Sequence, residues 1–99
     1  MNEQQNVTRN RVYRVDTSRA TWRQVDREGV VLDLHTSVYF GLNESAGVLW
    51  PRLIAGSTHT ELVDALIAGE PQQFDRDQAA DEVSSFLQAV DAEGLFVAG

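Results

Sequence analysis

The chain has 99 residues, enough for one domain with a single modest core and too few for a large enclosed active site. It contains no cysteine, which excludes disulfides, thiolate metal sites and thiol nucleophiles. The net charge of −7 is unevenly spread: residues 1–27 hold six arginines against three acids, and the remainder holds two, Arg52 and Arg76, against twelve.

An acidic folded part disfavours a phosphate backbone as partner and favours a neutral or basic one. The opening MNEQQN is polar with no apolar run behind it, and nothing approaches the ~20 apolar residues that span a bilayer, so a soluble, cytoplasmic chain without membrane contact is expected.

In chain order, residues 1–19 read as a flexible N-terminal extension, polar and without period over Met1 to Asn10, with a short extended segment over Arg11 to Val15. A domain follows over residues 20–97. Thr21 to Val25 alternates as a first strand, and Asp26 to Gly29 forms a turn in which Gly29 is free to take a positive φ. Val30 to Leu34 is a second strand, with Val30, Leu32 and Leu34 on one face and Val31 and Asp33 on the other. After His35-Thr36-Ser37, the third strand runs from Val38 to Leu42, with Val38, Phe40 and Leu42 on one face and Tyr39 and Gly41 on the other. A three-stranded antiparallel meander results.

The period then changes from two to that of a helix. Asn43 is a good N-cap for a helix from Glu44 to about Ile54, which Pro51 should kink or shorten. Thr58 and Glu61 have capping-box spacing and open a second helix to about Ala68, stopped by Gly69 and Pro71. Asp75 caps the third and longest helix, and Gly94 is its natural end. Ala79, Val83, Phe86 and Val90 make a core stripe, and Ala80, Ser84, Leu87 and Asp91 a neighbouring one of mixed character. Three strands followed by three helices define an α+β, winged helix-turn-helix-like domain.

No catalytic constellation is visible. His35 and His59 stand apart from any His-Glu or His-x-x-x-His pattern, and no serine sits in a nucleophile elbow. Asp75, Asp77, Asp81 and Glu82 lack calcium-loop spacing and read as a solvated helix face. Neither a metal, a cofactor nor an enzymatic activity is expected. What remains is surface. Val38 to Leu42 is apolar and aromatic, without the lysine, proline or inward charge that normally blunts a sheet edge. Pattern alone leaves open whether this strand is an edge meant to be paired or a central strand filling the core.

The run VVLDLHTSVYFGLNESAGVLW, the following Gly-Ser/Thr turn, ELVDAL and DEVSSFLQAVDAEGLF resemble the PqqD-like proteins, also called RiPP recognition elements. The resemblance rests on Tyr39-Phe40, Leu42-Asn43, Trp50 and a last helix closing in Gly-Leu, and covers roughly residues 20–97. Pro51 and the long arginine-rich extension depart from the family pattern. The resemblance implies a domain that binds the leader segment of a ribosomally made precursor peptide by strand addition to the third strand, in the cleft beside the third helix. It also implies delivery of that peptide to a radical SAM enzyme, a leader peptidase or a cyclase, as in PQQ-like or lasso peptide pathways.

The implied peptide-binding residues are Val38, Tyr39, Phe40, Gly41 and Leu42 on the strand and Ala80, Ser84 and Leu87 on the helix, with Asp77 and Asp81 at the entrance to meet a basic residue of the leader. Two other readings compete: a winged-helix nucleic-acid binder, which the acidic third helix opposes, and a small structural subunit that forms a homodimer through the same edge.

Overall fold

The computed structural model describes residues 11–26, 28–70 and 72–97. In chain order the elements are β1 (Val12–Tyr13), β2 (Ala20–Val25), β3 (Glu28–Asp33), β4 (Val38–Leu42), α1 (Glu44–Ala55), β5 (Ser57–Thr58), α2 (His59–Gly69) and α3 (Arg76–Ala92). Strands β2, β3 and β4 form an antiparallel meander with β3 in the middle, and three helices follow, the α+β arrangement expected from the alternation of periods. Central position therefore belongs to β3. Strand β4 is an edge.

The first hairpin is tighter than the sequence suggests. Val25 pairs with Glu28, so the connection has two residues, and Asp26 rather than Gly29 takes the positive φ, at 56°. Aspartate tolerates that region because its short side chain can bond locally. Gly29 instead lies in β3, which consequently begins two residues earlier than the period predicts. A Cβ there would stand 3.3 Å from both Leu42 Cδ1 and Trp22 Cε3, so glycine leaves room for these two side chains.

Each helix start carries its predicted cap. Asn43 Oδ1 accepts from the Ala46 N–H at 2.9 Å. Thr58 and Glu61 form a reciprocal capping box, the Thr58 hydroxyl accepting from the Glu61 N–H at 3.2 Å and the Glu61 carboxylate from the Thr58 N–H at 2.8 Å. Asp75 and Gln78 repeat the arrangement at 2.8 and 3.1 Å. Pro51, expected to kink or shorten α1, does not shorten it: the helix continues to Ala55, with the proline ring on the exposed side. Pro71 lies outside the described residues.

The helices pack around Leu49, Trp50 and Leu53 of α1, Leu62 and Leu66 of α2, and Ala79 and Val83 of α3, with Val31 and Leu42 facing them from the sheet. Residues 11–19, read above as part of the N-terminal extension, are tied into this unit. β1 pairs antiparallel with β5, Val15 is 2% exposed, and its N–H donates to the Leu53 carbonyl at 2.9 Å. The C-terminal tail closes over the same segment: Asp16 N–H donates to the Leu95 carbonyl and Val97 N–H to the Arg14 carbonyl, both at 2.8 Å. Residues 1–10 lie outside the described residues.

Asp33 is a buried acid on the core face of the sheet, 1% exposed. Burial pushes its pKa up, but donation from the His35 N–H at 2.9 Å, hydrogen bonds from Thr36 and the Arg19 guanidinium at 3.7 Å outweigh that and hold it below its ordinary value. A carboxylate with a depressed folded-state pKa contributes its full stability above the unfolded value and loses it as pH falls through the folded one. Urea midpoints are therefore expected to be flat from about pH 7 to 5 and to decline below about pH 4, with Asp33→Asn giving a shallower acid limb. Equal acid limbs for wild type and variant would contradict this.

Candidate functional site: an open strand edge beside an apolar groove

Ladder geometry decides which main-chain groups of β4 are free. In an antiparallel pair, alternate residues direct their N–H and C=O toward the same neighbour. The Leu34 N–H donates to the Arg19 carbonyl at 2.7 Å, just beyond the paired ends of β2 and β3, so even-numbered residues of β3 bond toward β2. The odd-numbered Gly29, Val31 and Asp33 then bond toward β4, and the Asp33 carbonyl indeed accepts from the Ser37 N–H at 2.8 Å. Their register partners are Leu42, Phe40 and Val38. It follows that Tyr39 and Gly41 present N–H and C=O outward, two donors and two acceptors that no other strand pairs among the described residues.

The outer edge of β2 is open too, but it carries Thr21, Arg23 and Gln24, the polar and charged residues that blunt an edge. Beside β4, in contrast, a groove of about 450 Å³ runs between the strand and α3. Its apolar lining includes Phe40 and Leu42 of β4, Val31 of β3, Trp50 of α1 and Phe86 and Val90 of α3. Trp50 is 2% exposed and meets Phe86 edge-on, with ring centroids 6.4 Å apart at 71°. Side chains and main chain of β4 thus divide the work: Phe40 and Leu42 face the groove, while Tyr39 and Gly41 supply the outward hydrogen bonds. The Tyr39 ring lies on the opposite, solvent face of the sheet, 68% exposed, and Val38 at the strand's start is also exposed.

On α3 the groove is lined by a different flank of the helix from the one expected. The groove is lined by Glu82, Ser85, Phe86, Ala89, Val90 and Glu93, and not by Asp77, Ala80, Asp81, Ser84 or Leu87. Ser84 Oγ lies 3.0 Å from His59 Nε2 of α2, and Leu87 is buried at 6% exposure next to Tyr13 and His59, around a separate depression. At 100° per residue, Ala80, Ser84 and Leu87 occupy the flank of the core stripe opposite to Glu82, Ser85 and Ala89. A core stripe has two flanks, and periodicity does not say which one faces the sheet. Leu87 is apolar because it packs toward the N-terminal segment, whose short strand carries no period in the sequence. The available signal was Ser85 and Ala89, small residues four apart, which leave room for an incoming chain.

Among the described residues, no group of three or more His, Asp or Glu side chains is placed to hold a metal ion. No helix of the described residues is long and apolar enough to cross a membrane.

An α+β domain with a meander sheet, one unblunted edge and a groove against the last helix is built as a receptor for an extended chain. The sequence model of the family described as "Coenzyme PQQ synthesis protein D (PqqD)" matches residues 28–95, and the chain belongs to that family. Among solved structures, one described as "TbiB1 in Complex with the TbiA(beta) Leader Peptide" is similar, with 28% sequence identity and a TM-score of 0.74 over 87% of this chain and 96% of the other. No curated protein sequence matches.

Proposed function

We propose that this chain binds the leader segment of a ribosomally made precursor peptide as a fourth strand on β4 and presents it to a separate modifying enzyme, such as a radical SAM enzyme, a cyclase or a leader peptidase. The observation that carries this reading is the pair of outward-facing residues Tyr39 and Gly41 next to an apolar groove. The similar TbiB1 structure, solved with a leader peptide, supports it.

The energetics fit a transient carrier. Four main-chain hydrogen bonds at about 1 kcal/mol net each and two apolar anchors at about 2 kcal/mol each give about 8 kcal/mol. Ordering a disordered leader removes about 2–5 kcal/mol of that. These terms alone correspond to dissociation constants from tens of micromolar to millimolar, so tighter binding requires charge pairing. The same edge also fits a second copy of the chain in a symmetric dimer. Size-exclusion chromatography separates the two: a dimer that peptide dissociates competes for β4, whereas a monomer that takes up peptide does not.

Catalysis is assigned to the partner. Precursor peptide incubated with the purified protein in the absence of metal is expected to keep its mass by mass spectrometry. A time-dependent mass change would place chemistry in this chain.

A further inference from the structure

Two carboxylates line the groove, and neither has a side-chain partner among the described residues. Glu82 is half-buried and Glu93 exposed, and neither makes a side-chain hydrogen bond or ion pair among the described residues. Arg19, whose guanidinium lies beside Gly94, is 3.7 Å from Asp33 through Nε and makes no ion pair with either glutamate among the described residues. Glu82, partly desolvated at the rim of an apolar groove, gains more from an arriving opposite charge than the solvated Glu93 does.

We infer that Glu82 and Glu93 select a peptide carrying two basic residues that flank one or two apolar residues, all on the α3-facing side of the added strand. The inference rests on strand addition at β4. Eleven residues of helix place the two carboxylates ~16 Å apart along the axis of α3. A strand lying along that helix covers the distance in about five residues, and because alternate side chains share a face, the two cations stand about four or six positions apart. Between them, one or two apolar side chains enter the space above Phe40, Leu42 and Phe86, which the small Ser85 and Ala89 leave free. Glu82, more desolvated, gives the stronger preference.

The test is a displayed library of random twelve-residue peptides selected on the purified protein, on the Glu82→Gln/Glu93→Gln double variant and on Gly41→Pro. On wild type, lysine or arginine should be enriched at two positions about four or six apart, with one or two apolar residues on the same face between them. Synthetic copies of the winners should bind the double variant about tenfold more weakly, a rim-charge effect with its larger share from Glu82. Winners without paired basic residues, winners that bind the double variant equally well, or no enrichment at all would overturn the proposal. Failure of strand addition looks different: winners would bind a folded Gly41→Pro protein as tightly as wild type.

Discussion

Proline at Gly41 or at Tyr39 is expected to weaken peptide binding at least tenfold while leaving the domain folded. Both residues direct N–H outward, so proline removes a donor that the β3–β4 ladder does not use. The lost hydrogen bond accounts for about 0.5–1.5 kcal/mol, and the ring obstructs the approaching chain besides, where 1.4 kcal/mol is already about tenfold. Gly41 gives the cleaner test. A Cβ there meets nothing within 4 Å, so Gly41→Ala should fold and bind like wild type, isolating the effect of the proline ring. Phe40→Pro is the opposite control. Its N–H points toward β3, so that variant should lose the hairpin itself, visible by circular dichroism. Titration of a fluorescent peptide decides the matter, and unchanged affinity in folded Gly41→Pro and Tyr39→Pro proteins would place the peptide elsewhere.

Trp50→Ala is expected to cause the largest loss of stability, about 3–5 kcal/mol from lost burial and the cavity left behind. A domain of this size has roughly 5–15 kcal/mol in total, so the variant should be marginal at physiological temperature. Trp50 is 2% exposed, belongs to the same helix face as Leu49 and Leu53, and supports Phe86 across the groove floor. Urea denaturation should show the midpoint falling with an unchanged slope. Trp50→Phe, which keeps most of the apolar volume, should recover most of the stability and leave a deeper groove. A midpoint for Trp50→Ala within experimental error of wild type would mean that the packing of α1 against α3 is not what holds the domain.

The fold was largely legible because each element announces itself locally. Alternation over Val38 to Leu42, the Asn43, Thr58 and Asp75 caps and the glycine at position 94 all stand where residue chemistry requires them. Errors arose where a tertiary partner decides. The turn at Asp26 was shorter than predicted because an aspartate took the left-handed conformation expected of Gly29, which packing of Trp22 and Leu42 keeps small for another reason. Residues 11–16 looked like an extension because two-residue strands and single bridges carry no period; β5 and the tail at Phe96 supply their pairing.

For the site, strand and helix differed. Which residues form β4 was readable, and the edge position followed from the family resemblance and from β3 lying between its neighbours. The facing side of α3 was not readable, since Ala80, Ser84 and Leu87 and the groove-lining Glu82, Ser85 and Ala89 flank the same core stripe.

Strand addition is tested most directly by amide hydrogen exchange of the ¹⁵N-labelled protein, with and without a peptide selected from the displayed library. Without peptide, the inward amides of Phe40 and Leu42 should be protected by the ladder and those of Tyr39 and Gly41 should exchange freely. Saturating peptide is predicted to slow exchange at Tyr39 and Gly41 by at least about tenfold, as each N–H gains a strand partner. A peptide that binds while exchange at both amides stays as fast as in the free protein would contradict the account.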